Sequence, residues 1–446
     1  MPASPFHTFR NHGLSLFQAA AAASSRTPLQ GNASGPMPAL EQAAGRIAGL
    51  AAAGTPLPLQ APAGQAPEAW TCARLGYHLL QAELGNDAAL RTRLQDQLLG
   101  SRCDPRWAGT LVSYLNYFGP DGLRRRIPYI PPDAAGPGVI PIAPDARVAL
   151  LSDWGTGGRT ALAVLRDLAS RQPDVLVHLG DIYYAGTPTE CERNFAQPVR
   201  AALGPDLPVF TLSGNHDMYS GGDGYYGLIA RLNTGLNTGL NRQRASYFCL
   251  RSTDSRWQFL AMDTGLHAYD PFERHPLTFL NPAEEDWLVD RIAEFPGRTV
   301  LLSHHPAFSA MARIGPGGPD PWNASLRTSL ARLSSAGPVA AWFWGHEHTM
   351  ALYAPYGDLA RGRCIGCGAI PMFTGDRPYA PRAGLQDPPA LLPPRLGDDG
   401  TVLDHGYAII ALDPGSGSAH AEYYSVGARP GLLFTEDLAS PALQAC

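Results

Sequence analysis

Carboxylate, carboxamide and imidazole side chains follow five short apolar runs in the middle of this 446-residue chain. The runs and the groups that follow them are 147–151 with Asp153, 175–179 with Asp181, 208–212 with Asn215 and His216, 299–302 with His304 and His305, and 339–344 with His346 and His348. A single carboxylate at such a place is often a helix cap, and a single histidine is usually a hydrogen-bonding residue. Five such runs are hard to obtain by chance, so we expect one shared site.

The mixture of ligand types indicates which metals the site could hold. Imidazoles with carboxylates, a carboxamide and no thiolate suit iron, zinc or manganese better than calcium or magnesium. These ligands are too many for one ion, so a two-metal site is the natural count. Two cations can share a bridging carboxylate and a hydroxide that attacks phosphorus.

The apolar runs must form the elements that position these groups. They are short and apolar, and 175–179 is also rich in β-branched residues and lacks a helical period, so the runs predict buried strands. The segment 159–170 predicts a helix between the first two strands, which gives a β-α-β unit. Ligands of α/β sheets bind at the carboxyl ends of strands, where these side chains lie. Further strands are predicted at 359–370, 406–412 and 419–424.

Three regions are predicted along the chain. Residues 1–37 read as a disordered leader and linker, because 13–25 has too weak a basic region and too interrupted an apolar run for a good signal peptide. Residues 38–145 form a helical subdomain and connector, with helices predicted at 40–53, 68–83, 87–99 and 107–118. Residues 146–446 carry the site.

Composition excludes some classes of partner. The net charge is −5 and no basic run is long, so nucleic acid is not expected. No apolar run reaches the ~18–20 residues of a transmembrane helix, and a cytoplasmic location is favoured over secretion. The seven cysteines are scattered and odd in number, which does not predict a disulfide framework. Cys364 and Cys367 are interpreted as small core residues.

The order and spacing of the motifs resemble those of the calcineurin-like metallophosphoesterases. The motifs are Asp153-Trp154-Gly155, Gly180-Asp181, Gly214-Asn215-His216-Asp217, His304 and Gly345-His346-Glu347-His348. The run Gly180-Asp181-Ile182-Tyr183-Tyr184 also resembles the Gly-Asp-x-x-Tyr form of purple acid phosphatases, in which the tyrosinate binds Fe(III). The resemblance covers about 146–425. It implies an α/β fold, a four-layer sandwich of two mixed β-sheets flanked by helices, to which the N-terminal helical subdomain is an addition.

The resemblance implies a role for each matching residue. Asp181 is implied to bridge the two metal ions. The residues implied to hold Fe(III) are Asp153, Tyr184 and His348, and those implied to hold a second ion, which is iron, zinc or manganese, are Asn215, His304 and His346.

Four further residues are expected around the metal ions. The resemblance implies that His216 contacts phosphate or protonates the leaving group, and Asp217 is expected to orient it by a hydrogen bond. Alternate residues of a strand face opposite ways, so His304 and His305 should not both bind metal. His305 is therefore a candidate residue of the substrate pocket. Tyr219, in the glycine-rich segment 218–226, could stack on an aryl or nucleoside leaving group.

Three functions remain open at this point. The first is an acid phosphatase-like enzyme that hydrolyses small-molecule phosphomonoesters by attack of a metal-bound hydroxide. The second is a phosphodiesterase acting on cyclic nucleotides or phospholipid headgroups. The third is a non-catalytic scaffold on the same fold, which the complete ligand set disfavours.

Overall fold

The computed structural model describes most of the chain beyond its N-terminal region. The described residues are 43, 46–47, 50, 53–65, 67–84, 87–101, 103–104, 107–119, 122–123, 126–132, 138–234, 242–270, 277–315 and 318–443. The predicted leader at 1–37 lies outside them. Of the predicted helix at 40–53, residues 43, 46, 47, 50 and 53 are described; the first four are helical, and residue 53 lies in a turn.

Three helices whose bounds lie within the described residues precede the sheets, close to where the sequence predicts them. They are α1 (Pro67–Leu84), α2 (Ala88–Leu98) and α3 (Trp107–Phe118). Asp87 begins α2 because its carboxylate accepts a hydrogen bond from the backbone N–H of Leu90 at 2.9 Å. Helices α1 and α2 pack on Phe373 and Val402 of a later loop, so they share a core with the rest of the chain.

One disulfide is present, although the cysteine pattern did not predict a disulfide framework. Cys72 of α1 and Cys103, in the loop before α3, form a disulfide across 31 residues. An odd count of scattered cysteines could not reveal this pair, because tertiary packing brings the two together. Cys364 and Cys367 are buried and free, as interpreted from the sequence.

Thirteen strands in the described residues form two mixed sheets. Their bounds are β1 Val139–Ile142, β2 Arg147–Leu151, β3 Val175–His178, β4 Val209–Thr211, β5 Phe248–Ser252, β6 Trp257–Ala261, β7 Arg298–Ser303, β8 Val339–Trp344, β9 Met350–Leu352, β10 Gly362–Ile365, β11 His405–Asp413, β12 Ser418–Val426 and β13 Gly431–Asp437. One sheet has the order β1-β5-β6-β7-β8-β10-β9, and the other has the order β13-β12-β11-β2-β3-β4.

Helices cover the outer face of each sheet, which confirms the four-layer sandwich. The remaining α-helices are α4 Arg159–Ser170, α5 Gln197–Leu203, α6 Asn215–Met218, α7 Asp223–Ile229, α8 Pro282–Ala293 and α9 Ala324–Ala336, with short helical turns at Pro188–Glu190, Cys191–Ala196 and Thr374–Asp376. Helices α4 and α5 pack on the six-stranded sheet, and α8 and α9 pack on the seven-stranded sheet. Apolar residues from both sheets, such as Leu150 and Phe343, fill the space between them.

The parallel strands end together at one edge. In the six-stranded sheet Leu151 pairs with His178, which in turn pairs with Thr211. In the seven-stranded sheet Ser303 pairs with Trp344. The five loops that carry the predicted ligands therefore leave the two sheets at neighbouring strand ends.

Two local predictions differ from the structure. Residues 139–142, predicted as connector, form an edge strand that pairs in parallel with β5. The glycine-rich segment 218–226, whose Tyr219 was expected to stack on a leaving group, lies largely in α6 and α7 with buried tyrosines. Among the described residues, we find no helix with the length and apolarity needed to cross a membrane.

Candidate metal centre

Two carboxylates and an imidazole from three strand ends form a first group of possible ligands. Asp153, Asp181 and His348 follow β2, β3 and β8, and their ligand atoms all lie within 4.8 Å of one another. His348 Nε2 lies 3.4 Å from Asp153 Oδ1. All three residues are buried, so the charges of the two carboxylates are poorly screened by water and favour a cation.

The phenol that faces this group belongs to Tyr183. Its hydroxyl lies 2.9 Å from Asp153 Oδ1, 3.2 Å from Asp181 Oδ2 and 3.1 Å from His348 Nε2. The predicted ligand, Tyr184, instead directs its hydroxyl to Asp104, outside the group. The placement of Tyr184 is therefore corrected, because the turn after β3 presents the preceding tyrosine to the carboxylates.

Three histidines form a second group beside the first. His304, His305 and His346 place their ligand nitrogens within 4.8 Å of one another. His304 Nε2 lies 3.3 Å from Asn215 Oδ1 and 3.4 Å from Asp181 Oδ2. Asp181 therefore lies between the two groups, where a bridging carboxylate would have to be.

His305 joins the second group, against the expectation that it faces away from His304. Strand β7 ends at Ser303, so the alternation of a strand does not extend to the two histidines. The Thr264 hydroxyl holds His305, at 3.0 Å from its backbone N–H and 3.1 Å from Nδ1. Glu347 instead accepts a hydrogen bond from Trp344 Nε1 at 3.1 Å.

The backbone of four predicted ligands lies in the left-handed region. The φ angles are +53° for Asp153, +71° for Asp181, +66° for His346 and +48° for His348. Non-glycine residues adopt this conformation rarely and at a cost of about 1–3 kcal/mol each. The packing around the site therefore holds these side chains in positions that local backbone preference disfavours.

His216 lies against the first group in a fixed orientation. Its backbone N–H donates to Asp181 Oδ1 at 3.0 Å, and its Nδ1 lies 2.8 Å from the carbonyl oxygen of Tyr184. The ring contacts those of Tyr183 and Tyr219, with centroid distances of 4.8 and 4.7 Å. Burial lowers the pKa of His216 below its ordinary value, although the Asp181 carboxylate opposes this.

Asp217 does not orient His216, which corrects the expected role. Its Oδ2 accepts the backbone N–H groups of Asp181 at 2.9 Å and Gly214 at 2.8 Å, and its Oδ1 accepts that of Ile182 at 3.1 Å. Asp217 thus holds the turn that carries Asp181. Burial and the charge of Asp181 raise the pKa of Asp217 to about 7.

The tyrosines of segment 218–226 are not available to stack on a substrate. The hydroxyl of Tyr219 accepts a hydrogen bond from Asn215 Nδ2 at 2.6 Å, and the residue is only 2% exposed. Tyr225 and Tyr226 are buried, and their hydroxyls donate to Thr211 and Ser246 respectively. Tyr219 therefore positions Asn215 within the site.

One carboxylate near the site was missed in the sequence. Asp263 follows β6, and its Oδ1 accepts hydrogen bonds from Ser213 Oγ at 2.5 Å and from Gly265 N–H at 3.1 Å. It thereby fixes the chain immediately before Asn215. The signal was the same as for the other carboxylates, since Asp263 also stands just beyond an apolar run.

The donor set fits metal ions in both groups. Burial opposes protonation of His304, yet the Asp181 carboxylate raises the pKa of His304 to about 9. The buried carboxylate therefore demands a positive charge at this point, which a bound cation would supply in place of the proton. Carboxylate, imidazole, carboxamide and phenol donors suit iron, zinc or manganese.

Comparison with known proteins found one matching family and several similar solved structures. The family described as calcineurin-like phosphoesterase matches residues 146–350. No curated protein sequence matches the chain. Among solved structures, GAP50, the anchor in the inner membrane complex of Plasmodium, is similar with 13% identity and a TM-score of 0.46, over 67% of this chain and 90% of that one. Purple acid phosphatase PPD1 from yellow lupin (Lupinus luteus) seeds is similar with 13% identity and a TM-score of 0.41, over 69% of this chain and 57% of that one. Residues 146–350 therefore form a calcineurin-like phosphoesterase domain of the metallophosphoesterase superfamily, which implies a metal-dependent phosphoester hydrolase.

Proposed function

We propose that this protein is a dinuclear metal-dependent phosphatase that hydrolyses small-molecule phosphomonoesters. The observation that carries the proposal is the position of Asp181 between two donor groups, with His216 beside it. Two ions held by these groups, together with a nearby imidazole, would supply the parts that hydrolysis of a phosphate ester needs.

Each donor group would hold one ion. Asp153, His348 and the Tyr183 hydroxyl would hold the first, and Asp181 would be shared by both. The residues that would hold the second ion are Asn215, His304 and His346, with His305 as a further donor or a contact to substrate. A phenolate donor favours Fe(III) for the first ion, and the second would be iron, zinc or manganese. Bound ions of this kind lower the pKa of water and neutralise charge on the phosphate.

His216 would hold the proton that the leaving oxygen takes up. Because a carbonyl oxygen can only accept, the 2.8 Å contact with Tyr184 requires a proton on His216 Nδ1. The second nitrogen, Nε2, faces Asp181 at 3.8 Å and is the one that can exchange a proton within the site. The acid form of the ring would then donate from Nε2 to the departing alkoxide.

The visible spectrum and the metal content test the ligand assignment. The protein, loaded with iron together with zinc or manganese, should show a tyrosinate-to-iron absorption band. The band should disappear in Tyr183→Phe and persist in Tyr184→Phe. A band that is lost only in Tyr184→Phe would return the phenolate to the residue that the motif indicates.

Substrate assays test the activity. Phosphomonoesters should be hydrolysed, with p-nitrophenyl phosphate compared against bis(p-nitrophenyl) phosphate and cyclic nucleotides across pH. A metal-loaded protein that cleaves only the diesters would establish the phosphodiesterase alternative. A protein that binds metal but cleaves neither class would overturn the proposal in favour of a scaffold.

The disulfide bears on where the protein works. We infer an oxidising compartment, which reverses the sequence-based preference for the cytoplasm, because structural disulfides persist mainly outside reducing compartments. Cys72 and Cys103 form such a bond. Alkylation of the native protein without reduction should leave both thiols unmodified, and modification of both would contradict the inference.

A further inference from the structure

The segment before α3 reaches across to the turn after β3. The Tyr184 hydroxyl donates a hydrogen bond to Asp104 Oδ2, and it accepts one from the backbone N–H of Gly100 at 3.1 Å. The same Gly100 N–H lies 2.7 Å from Asp104 Oδ2. Asp104 is 1% exposed and Tyr184 is 6% exposed. A buried carboxylate from the N-terminal helical region is thus directed at a side chain of the metal-site turn.

The backbone of the same tyrosine contacts both helix α3 and His216. The Tyr184 carbonyl oxygen accepts hydrogen bonds from Thr110 Oγ1 at 3.2 Å and from His216 Nδ1 at 2.8 Å. The Tyr184 N–H donates to Glu190 Oε1 at 2.6 Å. Its side chain, its carbonyl and its N–H are therefore each held, and the position of the carbonyl determines the rotation of the His216 ring.

We propose that Asp104 is a positioning residue of the active site, which orients His216 through Tyr184. The inference rests on the proposed role of His216 as proton donor. In this arrangement the N-terminal helical region forms part of the active site, since two of its side chains determine where a catalytic imidazole points. Tyr184 then serves to position His216, and the metal-facing phenol is left to Tyr183.

The disulfide anchors the loop that makes this contact. Cys103 precedes Asp104 directly and is bonded to Cys72 of α1. The Cys103 N–H also donates to Ser101 Oγ at 3.1 Å, so the loop between Gly100 and Asp104 is held from within. A loop restrained in this way can keep a buried carboxylate at a fixed distance from the tyrosine.

The dependence of kcat on the leaving group distinguishes a misplaced proton donor from a general loss of active-site structure. A misplaced His216 should slow the release of a strongly basic alkoxide but hardly affect p-nitrophenolate, which leaves without a proton. We expect Asp104→Ala and Tyr184→Phe to lower kcat for glycerol phosphate on the order of tenfold to a hundredfold. For p-nitrophenyl phosphate we expect less than about a twofold change, with KM and metal content unchanged.

Two variants serve as controls. Asp104→Asn retains an oxygen that accepts from both partners, so it should restore most of the activity on glycerol phosphate. Asp87→Ala removes the N-cap of α2 in the same helical region without touching Tyr184, and its kcat ratio for the two substrates should equal that of the unmodified protein. If Asp104→Ala fails to fold, Tyr184→Phe, which loses only a hydroxyl, carries the test.

The outcomes distinguish this inference from the proposed function. Equal loss on both substrates, or no loss on either, would overturn the positioning role while leaving the phosphatase intact. A metal-loaded unmodified protein that hydrolyses neither ester would overturn the proposed function itself. A selective loss on glycerol phosphate that Asp104→Asn restores supports both.

Discussion

Gly345 stands where the loops after β8 and β2 approach closely, so the substitution Gly345→Ala is a direct test of the site's geometry. A Cβ atom at this position would lie 1.9 Å from Ser152 Oγ and 2.6 Å from Asp153 Oδ2. Rotation of Ser152 could clear the first contact, but it would break the 2.7 Å hydrogen bond from Ser152 Oγ to Asp153 Oδ2. The second contact involves Asp153 itself, whose other carboxylate oxygen, Oδ1, already accepts a hydrogen bond from the Tyr183 hydroxyl.

The size of the effect follows from these distances. Ordinary contact begins at 3.4 Å, so Asp153 Oδ2 must move by about 0.8 Å, the difference from 2.6 Å. The same oxygen accepts the His346 N–H at 2.8 Å, so its movement also disturbs the loop that carries two other ligands. Overpacking of this kind destabilises a fold by about 1–3 kcal/mol. Displacement of a ligand should weaken metal binding by about 10- to 100-fold.

The assay compares metal content, metal affinity and thermal unfolding in Gly345→Ala and a matched glycine variant. Gly227→Ala, within α7, places its Cβ at an ordinary 3.6 Å from Arg231. It should bind metal normally and gain about 0.5–1 kcal/mol of stability from the loss of a helical glycine. A Gly345→Ala protein that retains two ions at unchanged affinity would refute the reasoning, because Asp153 would then not be a ligand in this position.

Three further predictions concern buried titratable or charged residues outside the metal centre. Burial lowers the pKa of His178 to about 3. The free energy of unfolding should therefore decrease as the pH falls from 6.5 toward 3, by on the order of 4 kcal/mol. Urea titrations of His178→Asn should lack that decrease. Burial raises the pKa of Glu284 above its ordinary value, so the stability of the protein should fall as the pH rises above 4.5. The side chain of Glu284→Gln can still accept the hydrogen bond from the Asp263 N–H, so this variant should be more stable than the unmodified protein at pH 8. Equal stability of the two at pH 8 would contradict this. Arg363 pairs with Glu436 through contacts of 2.6 and 2.7 Å in the core, so Arg363→Met should cost about 3–5 kcal/mol, and the additional change Glu436→Leu should recover much of it in denaturant unfolding.

The strands and most of the site were predictable because their signals are local. An apolar run of five or six residues predicts a buried strand wherever it stands, and the polar residue after it marks the strand end. Strand β8 and helices α3 and α4 have the predicted bounds. Since parallel strands end at the same edge, the side chains that follow them had to converge.

The predictions that were wrong depend on contacts between residues that are distant in the sequence. Spacing could not decide between Tyr183 and Tyr184, because the direction of a side chain after a strand depends on how the turn is held by distant residues. The same holds for His305, whose orientation is fixed by a hydroxyl from the loop after β6. The Cys72–Cys103 bond likewise depends on the packing of α1 beside the loop before α3.

Two of these errors, the choice of tyrosine and the missed disulfide, have their cause in the N-terminal helical region, which the resemblance does not cover. Asp104 stands shortly before α3, and no local pattern connects it with a tyrosine 80 residues later. Once that contact forms, the tyrosine side chain is turned away from the metal groups, and the preceding hydroxyl stands beside Asp153 and Asp181. A motif that fits a family by spacing can therefore serve different contacts in a chain that supplies an additional buried carboxylate. In this protein the hydroxyl of Tyr183 contacts the two carboxylates of the first donor group, whereas the carbonyl of Tyr184 contacts His216.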